Sequence, residues 1–272
     1  MARPLIVGIV NITADSFSDG GRFLQPEAAI AQARRLAASG ADIIELGAAA
    51  SNVASDPVPP HEEIDRLAPV VAALAGSGVP LSVDTFQPEV QRFALASGVA
   101  YLNDIRGFAE PAIYPELAAA TCRLVLMHAV ASGGRAQRID LAAEAVWRRI
   151  LAFFADRIAR LETAGIARRR LILDPGMGFF LSTQPEASLR ALAGIAALKQ
   201  RFGLPVMVSA SRKSFLAALT RRGTAGELGP ATLAAELYAA ARGADFIRTH
   251  DAGALADGLA VSAALAAAEQ RF

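Results

Sequence analysis

The chain has 272 residues, 53% of them hydrophobic and 19% charged, which excludes a disordered chain and a small disulfide-stapled module. Twenty-seven Lys and Arg against 26 Asp and Glu leave a formal charge of +1, with no basic stripe for nucleic acid. Its single cysteine, Cys122, excludes an internal disulfide and a cysteine zinc site and points to a reducing cytoplasm.

One pattern recurs along the chain: a short apolar run, a polar residue at its end, a loop, then a helical stretch. The first run, residues 5–9, leads to Asn11 and is too short for a secretory segment. Residues 26–38 carry apolar positions at helical spacing and stop at Ser39-Gly40. The second run covers 42–46. The third, 81–83, ends at Asp84, and a helix over 88–96 starts with proline in its first turn and stops at Ser97-Gly98. The fourth, 101–102, ends at Asn103-Asp104, and the fifth, 124–127, ends at His128. A long helix over 142–163 sets Trp147, Ile150, Phe154 and Ile158 on one side. The sixth run, 171–173, ends at Asp174-Pro175-Gly176, and the seventh, 206–208, leads into Ser211-Arg212-Lys213-Ser214. The eighth, 245–247, ends in Arg248-Thr249-His250. The apolar stretch 259–268 is half a membrane span and reads as an Ala-rich surface helix, so no membrane association is expected.

Eight such alternations predict an α/β fold, a TIM (β/α)8 barrel forming one domain over residues 1–272. A doubly wound sheet would place a Gly-rich turn after the first strand, where this chain has Asn11-Ile12-Thr13-Ala14-Asp15-Ser16-Phe17. A barrel puts its chemistry on the loops after the strands, so Asn, Asp, Lys, Arg and His converge on one rim. That rim suits a polar small molecule bearing an anion. Asp84, Asn103 and Asp174 offer acceptors and an amide, and a carboxylate takes a guanidine-like edge through two hydrogen bonds. Lys213 is one of two lysines among 25 arginines and offers a compact charge that an Arg fork would not reproduce. Arg248 and His250 suit an anion or a flat ring, and Asn11 is an oxygen ligand for a hard cation such as Mg²⁺. The set suggests a 2-aminopyrimidinone ring carrying a diphosphate.

At these residues the chain resembles the dihydropteroate synthase family. The match runs through residues 8–21, Val83-Asp84-Thr85, Leu102-Asn103-Asp104-Ile105, Met127-His128, Asp174-Pro175-Gly176, Ser211-Arg212-Lys213-Ser214 and Arg248-Thr249-His250. The resemblance implies synthesis of 7,8-dihydropteroate from 6-hydroxymethyl-7,8-dihydropterin diphosphate and 4-aminobenzoate. It implies that Asp84, Asn103, Asp174 and Lys213 hold the pterin, with Ile105 and Met127 as its apolar surroundings. Asn11 would be the Mg²⁺ ligand, and Arg248 and His250 the anion and ring contacts. Phe17, Ser51, Gly178, Phe179, Phe180 and Ser214 would be further substrate contacts, and a homodimer is expected.

Two loops depart from the family. Where Gly-Gly-Glu-Ser-Thr-Arg-Pro-Gly is usual, the chain reads Gly47-Ala48-Ala49-Ala50-Ser51-Asn52-Val53-Ala54. Where Gly-Phe-Gly-Lys is usual, it reads Gly178-Phe179-Phe180-Leu181. Both changes resemble the sulfonamide-insensitive branch of the family, which is often borne on mobile elements. Two other readings stay open: a pterin-binding methyltransferase partner, and a non-catalytic pterin-binding paralogue.

Overall fold

A computed structural model of the chain describes residues 3–13, 25–50, 53, 56–131, 133–222 and 224–269. Its strands are β1 (Leu5–Asn11), β2 (Ile43–Gly47), β3 (Leu81–Asp84), β4 (Tyr101–Asp104), β5 (Arg123–Met127), β6 (Leu171–Asp174), β7 (Met207–Val208) and β8 (Phe246–Thr249). All neighbours pair in parallel, in the order β6-β5-β4-β3-β2-β1-β8-β7. A single bridge, Leu173 to Val206, joins β6 to β7 and brings the sheet round into a barrel. Between the strands run α1 (Pro26–Ala38), α2 (Pro60–Leu74), α3 (Pro88–Ala96), α4 (Tyr114–Ala119), α5 (Ala143–Thr163), α6 (Pro185–Ala193), α7 (Ile195–Phe202), α8 (Ser214–Thr220) and α9 (Gly229–Ala241). A last helix, α10 (Ala252–Glu269), follows β8.

Parallel strands covered on both faces read as continuous apolar runs, because successive side chains alternate between two buried surfaces. Ile6, Val10, Ile44, Leu46, Val83, Leu102 and Leu124 point outward beneath the helices. Val7, Ile43, Val125, Ile172, Met207 and Phe246 point inward and fill the barrel. The same inward parity, two residues further on, gives Glu45 on β2, Met127 on β5, Asp174 on β6 and Arg248 on β8. Register then sets rim residues side by side: Gly47 beside Asp84, Asp84 beside Asn103, and Met127 beside Asp174.

The strands end at the polar residues expected to close them, since Asn11, Asp84, Asp104 and Asp174 are each the last residue of a strand, while β5 ends at Met127, one residue before the expected His128. Proline opens α1, α2, α3 and α6, where its missing N–H has no helical partner to lose. In α10, Ala252, Leu255 and Leu259 are buried, whereas residues 260–269 are exposed. By length and composition α10 could cross a membrane, but its first half packs on β1, α1 and α9 as part of the barrel's outer layer.

Candidate active site

The rim residues of β3, β4, β6 and β8 border a cleft at the barrel mouth. Asp84, Asn103, Ile105, Met127, Asp174, Gly176, Met177, Phe180, Ser209, Lys213 and Arg248 line it. Seven of the residues singled out in the sequence meet there: Asp84, Asn103, Ile105, Met127, Asp174, Lys213 and Arg248. Phe180 is the eighth.

Arg248 organises one side. Its Nη2 donates to Asp84 Oδ2 at 2.9 Å, its Nη1 reaches Ser209 Oγ at 3.4 Å, and its Nε donates to Glu45 Oε1. The sequence reading expects Arg248 to meet an anion. In the structure two carboxylates already engage its guanidinium, which lines the cleft. Burial raises the Asp84 carboxyl to about 7; Arg248 opposes the rise and Glu45 adds to it. Asn103 is almost fully buried, its Nδ2 donating to Glu45 Oε2 at 3.2 Å, while its Oδ1 has no hydrogen-bond partner. A buried acceptor without a donor is costly in a finished fold and points to a ligand N–H.

Asp174 holds the opposite side. Its Oδ1 accepts the Gly176 N–H at 2.8 Å, and burial raises its carboxyl to about 6 against that bond and the nearby Arg248 and Lys213. Gly176 has φ +77°, and a Cβ there would stand 2.3 Å from the His128 carbonyl oxygen. Only glycine fits this turn. Burial lowers the Lys213 ammonium to about 8, with Arg248 adding to the fall and Asp174 and Asp84 opposing it. Its Nζ lies 4.9 Å from the Phe180 ring centroid, within cation–π range.

The remaining expected contacts stand at varying distance from the cleft. Gly178–Phe180 forms one tight turn with three residues per revolution, so consecutive side chains diverge. Phe180 faces the cleft, and Phe179, expected beside the ring, turns under the Arg138 guanidinium at 5.3 Å. A Cβ on Gly178 would stand 2.9 Å from Ser214 Oγ, so Gly178 and Ser214 lock the β6 and β7 loops together rather than line the cleft. The His250 Nδ1 bonds Ser211 Oγ at 2.8 Å. Burial, then Arg212, Arg248 and Lys213, lower its pKa well below the usual value. His128, prominent at the fifth strand end, packs edge-on against Phe153 and contacts the Pro175 carbonyl through Nδ1, which is a structural role. Phe17, Ser51 and Asn52 lie outside the described residues.

Asn11 ends β1. A Cβ on Gly47 would stand 3.8 Å from both Asn11 Oδ1 and Asp84 Cβ, an ordinary contact that places these rim residues side by side. Among the described residues no group of three or more His, Cys, Asp or Glu could hold a metal. One amide oxygen at a strand end fits a hard cation held mainly by phosphate and water.

Sequence reasoning missed Glu45. It sits inside an apolar run that is buried on both faces, yet it is 0% exposed and accepts from Arg248, Asn103 and Ser82. The signal was available: an acid within a strand predicted to be wholly buried demands a cation, and Arg248 sits near the end of a strand of the same barrel.

Two opposed carboxylates, an amide acceptor, an ammonium and apolar walls recognise a flat ring with a donor edge. The chain matches pterin binding enzymes over residues 7–250. It is 59% identical over 261 residues to a dihydropteroate synthase type-2 of Escherichia coli, with 96% of each chain covered. The Xanthomonas albilineans dihydropteroate synthase with 4-aminobenzoic acid superposes with a TM-score of 0.88 at 38% identity, covering 97% of this chain and 94% of that one. A Yersinia pestis dihydropteroate synthase in a sulfonamide drug complex gives 0.90 at 33% identity, covering 98% and 95%. On its fold, its cleft and these likenesses, the chain belongs to the pterin-binding enzyme family.

Proposed function

We propose that the chain is a dihydropteroate synthase of folate biosynthesis. It joins 6-hydroxymethyl-7,8-dihydropterin diphosphate to 4-aminobenzoate and yields 7,8-dihydropteroate and diphosphate. The observation that carries this reading is the unpartnered Asn103 Oδ1 in a cleft shared with Asp84, Asp174 and Lys213. Those groups match the donor edge and carbonyl of a pterin.

Asp174 and Asn103 orient the ring through its N–H groups, and Lys213 donates to a ring acceptor. The bond between the methylene carbon and the diphosphate oxygen breaks, and its electron pair leaves with the oxygen. Positive charge then spreads into the pterin, where Asp84 and Asp174 stabilise it as preorganised acceptors. The aniline nitrogen forms the new C–N bond and loses a proton to water or to the released diphosphate. This weakly basic amine needs no strong base. Mg²⁺, when bound, would neutralise charge on the leaving diphosphate, and Asn11 would be the residue that holds it.

Three finer statements belong to the proposal. The enzyme discriminates against sulfonamides through Phe180, consistent with its likeness to a type-2 synthase. It works as a homodimer through apolar side chains exposed on α9 and α10. It resides in the cytoplasm, in keeping with a free, buried Cys122. A turnover assay with pterin diphosphate, 4-aminobenzoate and Mg²⁺ tests the central reading. Dihydropteroate formation that stops with chelator is the expected result. Methyltetrahydrofolate binding without turnover would instead favour a methyltransferase partner, and pterin binding without turnover a non-catalytic paralogue.

A further inference from the structure

Glu45 does not line the cleft, yet three donors from three other strands end on its carboxyl. Oε1 takes Arg248 Nε, and Oε2 takes Ser82 Oγ at 3.0 Å and Asn103 Nδ2 at 3.2 Å. The contact with Asn103 settles a question that an amide otherwise leaves open. An amide has one accepting end and one donating end, and either could face the ligand. A carboxylate oxygen against Asn103 admits only the donating end, so the NH₂ group turns inward. The carbonyl oxygen is left buried without a partner, on a residue that lines the cleft.

We infer that Glu45 is a positioning residue that sets ligand choice: by holding the Asn103 amide nitrogen it makes the site read a hydrogen-bond donor, and reject an acceptor, on the ring edge that Asn103 meets. The inference rests on the pterin reading of the cleft and deepens it. With Asp84, Asp174 and Asn103 Oδ1 all accepting, a 2-amino ring presents donors to acceptors. A 2-oxo ring presents an acceptor to them and leaves buried groups unpaired, which is the strongest form of discrimination a polar site offers.

Glu45→Gln should invert the device. Arg248 keeps the new side chain's oxygen, its NH₂ group then faces Asn103, and the Asn103 oxygen turns toward that NH₂. The NH₂ group of Asn103 now points into the cleft. The test is calorimetric binding of two probes, 6-hydroxymethylpterin and its 2-oxo counterpart, 6-hydroxymethyllumazine, to wild type and to Glu45→Gln. The wild type should prefer the pterin, and the substitution should cut that preference by about tenfold or more while the KM for 4-aminobenzoate stays within about twofold. An unchanged preference in a variant that still binds pterin overturns the role of Glu45. A wild type that binds neither probe overturns the pterin reading itself, and the inference with it.

Should Glu45→Gln fail to fold, the wild type supplies its own test. In ¹⁵N-labelled protein the side-chain amide signals of Asn103, assigned by their loss in Asn103→Ala, should move little when pterin binds, because its nitrogen stays on Glu45. A large displacement of both amide protons on binding would mean that the nitrogen, not the oxygen, meets the ligand, and would overturn the inference.

Discussion

Asp174 shows how narrowly the site is specified by single atoms. An amide at this position would keep the Gly176 N–H bond at 2.8 Å through its oxygen and turn an NH₂ group toward the ring donors. Asp174→Asn should therefore fold normally and lose roughly 10–100-fold in pterin affinity, the worth of a charge-assisted hydrogen bond; calorimetry showing equal affinity would remove Asp174 from the site. Lys213→Arg should cost activity too, because the longer fork cannot occupy the place 4.9 Å above the Phe180 ring without entering the cleft. Normal turnover by that variant would make Lys213 a bystander. The raised carboxyls, Asp84 at about 7 and Asp174 at about 6, add a pH prediction. An unfolded Asp titrates near about 4, so the fold holds protons that the unfolded chain has released. Stability from these groups is present at low pH and lost as the pH rises through about 6 to 7. His128 and His250, kept neutral by burial, oppose this below about 6.5, where unfolded histidines charge. Lys213, at about 8, still holds most of its proton. Glu236, which burial raises to about 8, keeps its proton in the fold across this range and tips the balance. So from about pH 7.5 to about 6.5 the melting temperature of the ligand-free protein should rise while kcat/KM falls, because catalysis needs the ionised carboxylates. Melts and rates that move together would contradict this. Most of these residues were legible in the sequence because each ends an apolar run. Glu45 was not, because it interrupts a run instead of ending it.

At the scale of elements, eight apolar runs were enough to read the barrel, and proline and Ser-Gly signals marked α1 and α3 to the residue. Strand ends were legible too, because each strand delivers its polar residue, Asn11, Asp84, Asp104 or Asp174, as its last. The directions of Phe179 and Phe180 were hidden, since they depend on the tight turn over Gly178–Phe180. That turn carries the drug prediction. The Phe180 ring packs with Ile105 and Ala136, its carbonyl accepts the Val130 N–H at 2.8 Å, and Lys213 lies over its face. The backbone bond fixes the residue and the side-chain contacts flank its ring, so the ring forms a wall of the cleft. A sulfonyl group is tetrahedral and bulkier than the planar carboxylate of 4-aminobenzoate, so a fixed wall rejects it selectively. A 100-fold rejection needs only about 2.7 kcal/mol. Phe180→Gly should lower the sulfamethoxazole inhibition constant much more than it changes the 4-aminobenzoate KM. Equal changes in both, or a wild type already inhibited at ordinary drug levels, would refute this role.

At the scale of the whole molecule, α10 leaves an apolar surface uncovered. The helix is about 27 Å long at 1.5 Å per residue, and only its first half meets the barrel. It follows β8 and runs back along the outside, so residues 260–269 lie toward the end of the barrel opposite the cleft. Val261 and Leu265, 59% and 62% exposed, are four residues apart and share one face, and Tyr238 adds an exposed ring on the neighbouring α9. A helix segment with few charges and no tertiary cover gains little from water, and most helical stability comes from packing of its apolar face. In the proposed homodimer a second copy of the chain would supply that cover by a twofold axis, under which each Leu265 would meet the same patch on its partner. A stable dimer would need about 800 Å² of such surface per subunit. Leu265→Glu would place like charges near one another across the axis and remove two buried leucines, each worth about 1.5–3 kcal/mol. Sedimentation should find the wild type dimeric and Leu265→Glu monomeric, with kcat changed by less than about twofold because the cleft lies at the other end. A monomeric wild type, or a Leu265→Glu protein that remains dimeric, would show that α10 does not form the interface.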